Sequence, residues 1–314
     1  MRILFWGTPD FAVPPLRALL GEGFEVVGVV TQPDRPHGRS RSRVVASPVK
    51  EVAVAEGIPV LQPERPRGDE FLDEMRALSP DISVVVAYGH ILPRAAIDLP
   101  SSGTLNIHAS LLPALRGAAP IQAAVREGLP ETGVTIMRMV PALDAGPILL
   151  QQATPLLPDE TYGELQQRLS ELGALALIEA LALLSLGAST ERPQDDALAT
   201  YAPKIERDMA RVRWTDDANV VARTIRAYDP KPGAFTTLRG ADVKLFGARA
   251  LDPADPHGQR GEPGELLSIE AGCAIVRCGR GAVCITDWQP AGKRRLSTGD
   301  LARGRGLGVG DRLE

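Results

Sequence analysis

The sequence predicts an α/β architecture, a parallel sheet flanked by helices, followed by a small antiparallel β-barrel. Three observations carry this. Apolar runs rich in Val and Ile alternate with helix-like stretches through the first half, as strands covered on both faces do. A polar stretch at 188–207 then interrupts the chain. Beyond it, short strand-like runs follow one another with Gly and Pro between them. A length of 314 residues suits about two domains. The expected division is 1–187, a linker at 188–207, and 208–314.

The expected strands of the first half are 2–7, 25–32, 59–62, 82–89, 104–108, 134–140 and 148–154. Val84-Val85-Val86-Ala87 is the clearest, a continuous apolar run with no polar alternation. Helices are expected at 11–20, 49–56, 69–78 and 121–127. Alternation of the two implies parallel strands joined by right-handed crossovers. A long helix should close this half: Thr161 and Glu164 form a capping box, Leu165, Leu169, Leu172 and Ile178 recur at helical spacing, and Gly187 supplies the stop. In the second half, 216–227 reads as a helix, and 234–238, 243–250, 265–269, 273–278 and 282–287 read as strands.

Composition narrows the function. Apolar residues are 44% and charged residues 24%, which excludes a disordered chain, a collagen and a coiled coil. The longest greasy run, 172–186, contains Glu179 and falls short of the ~20 residues a bilayer span needs. With no basic, cleavable leader evident, a cytoplasmic location is expected. Cys273, Cys278 and Cys284 lie within twelve residues but lack zinc-type spacing, and an odd count argues against a disulfide framework; three free thiols buried in strands are expected. The four histidines form no H-x-x-x-H pair, so no metal is expected. Residues 1–207 carry a net charge of −7 and 208–314 carry +3, a basic tail domain that suits a polyanionic partner. After the first strand, Gly7-Thr8-Pro9-Asp10-Phe11 lacks the second and third glycines of a dinucleotide turn, and Pro9 removes an amide, so NAD is not expected.

Asn106-Ile107-His108 is the most informative tripeptide. On a strand, residues two apart share a face, so Asn106 and His108 project together. Ligands of open α/β sheets sit at the carboxyl ends of strands. An amide donor and an imidazole there can hold one oxygen and move one proton. Asp144, in the tight loop Leu143-Asp144-Ala145-Gly146, can reach the same crevice, although an Asp before Gly is most often a turn residue.

Several segments together resemble the methionyl-tRNA formyltransferases: Gly7-Thr8-Pro9-Asp10-Phe11-Ala12, Thr31-Gln32-Pro33-Asp34-Arg35-Pro36, Ser47-Pro48-Val49-Lys50, Asn106-Ile107-His108, Ser110-Leu111-Leu112-Pro113, Arg116-Gly117-Ala118-Ala119-Pro120-Ile121 and 132–137. Tyr201-Ala202-Pro203-Lys204-Ile205 and Pro290-Ala291-Gly292-Lys293-Arg294-Arg295 extend the likeness into the second half. The resemblance implies a Rossmann-like parallel-sheet formyltransferase domain followed by an OB-like β-barrel that binds tRNA. It implies transfer of the formyl group of 10-formyltetrahydrofolate to the α-amine of methionyl initiator tRNA, giving N-formylmethionyl-tRNA for translation initiation. By position it makes Asn106, His108 and Asp144 the catalytic set, and Ser110, Leu111, Leu112 and Pro113 the folate-contacting stretch. Asp144 would either orient His108 and raise its pKa or act through an ordered water.

The family also carries a basic loop where Arg35, Arg39, Arg41 and Arg43 stand here, with Gly38, Ser40 and Ser42 between them. These arginines, with Lys204, Lys293, Arg294 and Arg295, are the expected tRNA contacts. Aromatic residues are only 4%, so phosphate and shape recognition of a duplex stem is expected over base stacking. The chain departs from the family in its alternating arginines, in Ala145 where threonine is usual and in Leu115 where tryptophan is common. A monomer is expected. The competing readings are another folate-dependent formyltransferase, acting on glycinamide ribonucleotide or an amino sugar; a formyl-folate hydrolase; and a non-catalytic tRNA-binding module.

Overall fold

In the computed structural model the chain is described over residues 1–37, 43–252 and 260–314. The first half runs β1 (Arg2–Gly7), α1 (Val13–Gly21), β2 (Glu25–Val30), β3 (Arg35–His37), β4 (Arg43–Val45), α2 (Pro48–Ala55), β5 (Val60–Leu61), α3 (Asp69–Ala77), β6 (Ile82–Val86), α4 (Arg94–Ile97), β7 (Thr104–His108), α5 (Pro120–Glu127), β8 (Glu131–Arg138), β9 (Ile148–Pro155) and α6 (Tyr162–Ser185). The second runs α7 (Ala218–Ala227), β10 (Ala234–Leu238), β11 (Ala241–Ala250), β12 (Leu266–Glu270), β13 (Cys273–Arg277), β14 (Ala282–Pro290), β15 (Leu296–Ser297) and α8 (Thr298–Arg303).

These elements divide into two units. One comprises Met1–Gly117, Thr132–Thr154 and Gln166–Tyr201; the other comprises Ala118–Glu131, Pro155–Leu165 and Ala202–Glu314. The first holds a seven-stranded sheet in the order β5-β2-β1-β6-β7-β8-β9. Its β5, β2, β1, β6 and β7 pair in parallel. The β7–β8 pairing is antiparallel, which alternation of apolar runs does not reveal. Along β1, alternate side chains enter opposite layers, and Leu4 and Trp6 join Phe71, Leu72 and Met75 of α3 and Ala96 and Ile97 of α4 in one buried cluster. Trp6 meets Phe71 and Tyr88 edge-on, with ring centroids 5.8 and 5.2 Å away.

Local signals place the helix ends. Ser47 caps α2, its Oγ accepting the Lys50 N–H at 3.1 Å. Glu164 accepts the Thr161 N–H at 2.8 Å, the capping box that starts α6. Gly187 stops that helix with a φ of +63°, a conformation in which a Cβ is strained. The polar stretch read as a linker is tied to the first unit as far as Tyr201: Arg192 exchanges backbone hydrogen bonds with Ile148, and Arg116 donates its N–H to Thr200.

The second unit is an antiparallel sheet ordered β10-β11-β14-β13-β12, with β15 on β14. The chain's last residues bridge its two edges. Glu314 exchanges backbone hydrogen bonds with Thr237 of β10, while the Leu266 N–H of β12 donates to Asp311. α5, although it precedes the last strands of the first sheet, belongs to this unit and packs on α7.

The expectation of three free thiols is corrected. Cys273 and Cys284 are disulfide-bonded, and only Cys278 is free. The reason is register: β13 and β14 are antiparallel, Cys284 lies opposite Ile275, and Ile275 shares a face with Cys273 two residues away. Their Cα atoms are 5.5 Å apart, within disulfide reach. Spacing along the chain could not show a pairing made across strands. Burial pushes the Cys278 thiol up to about 12, so it stays protonated at neutral pH. Among the described residues no helix is long and apolar enough to cross a membrane.

Candidate active site

Strand alternation sets the site. Ile107 of β7 packs on α6 where Gly173 leaves room; a Cβ there would lie 3.0 Å from Ile107 Cγ2. Its neighbours Asn106 and His108 therefore turn to the opposite face, at the carboxyl end of the strand. Asn106 is half-buried, and its amide has no hydrogen-bond partner among the described residues. His108 is 6% exposed.

The imidazole is held from two sides. Nε2 lies 3.0 Å from the Leu115 carbonyl, which can only accept, so Nε2 carries the proton. Nδ1 lies 3.7 Å from Asp144 Oδ2, beyond hydrogen-bond range but well within electrostatic reach. Burial lowers the His108 pKa below its usual 6.5, while Asp144 and the Leu115 carbonyl push it upward. Burial dominates, so the net direction is down and the ring is neutral at pH 7. The structure thus leaves Nδ1 as the basic nitrogen, facing a carboxylate that stabilises any proton it takes. The neutral ring has no second N–H to offer a ligand, whereas the side-chain amide of Asn106 carries two.

Asp144 stands in the loop between β8 and β9 with a φ of +47°, a left-handed conformation uncommon for a non-glycine residue and best tolerated by Asn and Asp. Three contacts fix it. Oδ2 accepts the Gly117 N–H at 2.8 Å. Gln194 Nε2 donates to the carbonyls of Asp144 and Gly146, both at 2.8 Å. Gly146 admits no side chain, since a Cβ would lie 1.8 Å from the Arg138 carbonyl oxygen. Arg116, 4% exposed, donates to Gln194 Oε1 at 2.8 and 3.1 Å and to Asp196 at 2.7 Å. The Arg-Gly pair of the motif is thereby explained: the arginine is a buried, paired charge, and the glycine delivers an amide to the carboxylate.

The stretch Ser110–Pro113 follows His108 directly and is pinned by β8. Thr135 Oγ1 donates to the Ser110 carbonyl at 2.6 Å and accepts the Leu112 N–H at 3.1 Å. Gln151 donates to the Leu112 carbonyl at 2.9 Å. Ser110 is buried, its hydroxyl turned back to the Ala114 carbonyl; Leu111 and Pro113 are half-buried. Thr135, Gln151 and Gln194 were not among the expected site residues. Thr135 carries a weak signal, one hydroxyl in the apolar run 134–137. Gln194 carries none, being one polar residue in a polar tract.

The expected RNA-contacting residues are spread over the chain. Arg35 is exposed at the start of β3 and donates to Gln32. Arg39 and Arg41 lie outside the described residues, as does the side chain of Arg43. Lys204, Lys293 and Arg294 are exposed. Arg295 is already committed, bonded to Asp229 at 3.0 Å and Asp287 at 3.4 Å and lying over the Phe246 ring. A cavity of about 450 Å³ lined by Arg76, Ser79 and Asp98 opens near the amino ends of β6 and β7, away from this chemistry.

A seven-stranded α/β sheet with an amide, a buried imidazole and a carboxylate at one strand end can hold one oxygen and move one proton, which meets the needs of an acyl-transferring enzyme, and comparison with known proteins narrows the class. The formyl transferase family model matches residues 1–181, and the model of the formyl transferase C-terminal domain matches residues 204–306. The chain belongs to the formyl transferase family. A methionyl-tRNA formyltransferase of Moorella thermoacetica is 44% identical over 313 residues, covering 100% of this chain and 99% of that one. One of Methylococcus capsulatus is 47% identical over 313 residues, with the same coverage. Among solved structures, HypX from Aquifex aeolicus in complex with tetrahydrofolic acid shares the fold at a TM-score of 0.70 and 22% identity, covering 98% of this chain and 48% of that one.

Proposed function

We propose that this chain transfers the formyl group of 10-formyltetrahydrofolate to the α-amine of methionyl initiator tRNA, acting as a cytoplasmic monomer. The observation that carries the chemistry is the pairing of buried His108 with half-buried Asp144, with the side-chain amide of Asn106, unpartnered among the described residues, on the same face of the strand as His108. The donor, when bound, supplies a formyl carbon attached to a nitrogen that can leave once protonated. The chain must supply an oxyanion donor and a proton carrier.

Asn106 offers an N–H to the carbonyl oxygen as the amine adds and negative charge gathers there. His108 Nδ1 takes the proton that the attacking nitrogen sheds. Asp144 stabilises the imidazolium so formed, and His108 then returns the proton to the departing folate nitrogen. One N–C bond forms, one breaks, and one proton moves between the two nitrogens. Ser110, Leu111, Leu112 and Pro113 would hold the folate; their placement directly after His108 supports this. Arg35, Arg39, Arg41, Arg43, Lys204, Lys293 and Arg294 would contact the tRNA backbone, and the excess of basic residues in 208–314 supports this for Lys293 and Arg294.

The choice of amine is tested by competition. The enzyme is given formyl-folate with methionyl initiator tRNA, glycinamide ribonucleotide and an amino sugar nucleotide together. Formyl transfer confined to the tRNA is expected; transfer to a small amine, or release of free formate, would overturn the assignment.

A further inference from the structure

The polar tract between the family's two domains contributes a side chain that none of the expected roles absorbs. Gln194 comes from a stretch read as linker, yet every polar atom of its amide is engaged. Nε2 donates to two carbonyls, those of Asp144 and Gly146, on either side of Ala145. Oε1 accepts two hydrogen bonds from the buried guanidinium of Arg116. The residue after Arg116 is Gly117, whose N–H holds Asp144 Oδ2. The contacts form a closed ring running from Gln194 to the Asp144 backbone, through the carboxylate to Gly117, and through Arg116 back to Gln194.

We infer that Gln194 is a positioning residue for formyl transfer, fixing the Asp144 carboxylate at its distance from His108. The inference rests on the reading of His108 and Asp144 as the catalytic pair. Two features separate this from ordinary packing. Asp144 sits in a left-handed conformation, easier for aspartate than for most residues but still less favourable than an extended or helical one, and the two bonds from Gln194 bracket that turn. The hold also needs two donors on one side and an acceptor on the other. Only a carboxamide presents both at once: glutamate lacks the donors, and lysine or arginine lacks the acceptor.

Gln194→Glu and Gln194→Leu separate the two ends of the ring. Glutamate keeps the oxygen facing Arg116 and adds a charge to that pair, so the buried guanidinium stays satisfied and the chain folds. On the other side it replaces two N–H donors with a carboxylate oxygen against two carbonyls. Leucine loses both ends. Steady-state formyl transfer, thermal melting and the pH profile of kcat/KM are read on both variants, with Asp144→Asn and His108→Ala alongside.

The expected result is a fall in kcat of about 10- to 100-fold for Gln194→Glu, as for a catalytic group displaced by a fraction of an ångström. KM for tRNA and folate should stay within about twofold, because transition-state rather than ground-state contacts are lost. Asp144 is the charged group that faces the imidazole among the described residues, and it raises the His108 pKa. A drifting carboxylate therefore moves the acid limb of the Gln194→Glu profile to lower pH. A merely structural role would leave that limb in place. Wild-type kcat in folded Gln194→Glu, or a loss confined to KM, would overturn the inference while leaving the catalytic pair intact. Wild-type turnover in Asp144→Asn or His108→Ala would overturn the reading beneath it.

Discussion

Replacing Asp144 by Asn is the sharpest perturbation the site offers, because it removes a charge while keeping the shape. The asparagine Oδ1 can still accept the Gly117 N–H, and the backbone hold of Gln194 is untouched. What disappears is the carboxylate 3.7 Å from His108 Nδ1. At that distance, with an effective dielectric of about 20, a unit charge pair is worth about 4 kcal/mol. Asp144 retains 15% side-chain exposure, so solvent takes back part of this. A net loss of about 2–4 kcal/mol corresponds to roughly a 30- to 1,000-fold drop in kcat/KM. The assay is initial-rate formylation of methionyl-tRNA at saturating folate, with melting temperature as the folding control. A folded variant within about threefold of wild type would refute the reasoning, since the imidazolium would then need no counter-charge.

Four further outcomes follow. His108 is buried with a lowered pKa, so its neutral form persists below pH 6.5; the acid limb of kcat/KM should lie below 6.5, and Asp144→Asn should move it lower still. For stability the sign is the same: the unfolded chain binds the proton more readily, so the contribution of a neutral His108 is complete above 6.5 and is lost as pH falls below it, visible as a falling melting temperature that His108→Gln flattens. Gly146→Ala would force a Cβ to within 1.8 Å of the Arg138 carbonyl, so the Asp144 loop must shift and kcat/KM should fall about 100-fold; near-normal kinetics would contradict the packing of that loop. Changing Lys293 and Arg294 together to Ala should reduce the slope of log affinity for tRNA against log salt by about 1.4–1.8, and an unchanged slope would remove both from the interface.

Much of this was legible in the sequence where the signal is local. The bounds of β1, β7 and β10 follow from short apolar or β-branched runs ended by turn residues, and the Thr161–Glu164 pair announces the start of α6. Asn106 and His108 could be paired because strand alternation is itself a geometric rule. Features made across the chain were not legible. The antiparallel pairing of β7 with β8, the Cys273–Cys284 bond and the grip of Gln194 on the Asp144 loop each join residues whose spacing encodes nothing about their contact. That the one N–H of a neutral His108 is spent on the Leu115 carbonyl could be known only from the structure. Burial likewise could not be read from the tripeptide, and it outweighs the upward push of Asp144 on the His108 pKa.

The most direct measurement is mass spectrometry of the aminoacyl end of methionyl-tRNA after incubation with formyl-folate and either the wild-type chain or His108→Ala. The account requires a formyl increment on the methionine amine with wild type and a severely reduced yield with the variant at equal time and enzyme. An unmodified methionine with wild type, or equal formylation by both proteins, would contradict it.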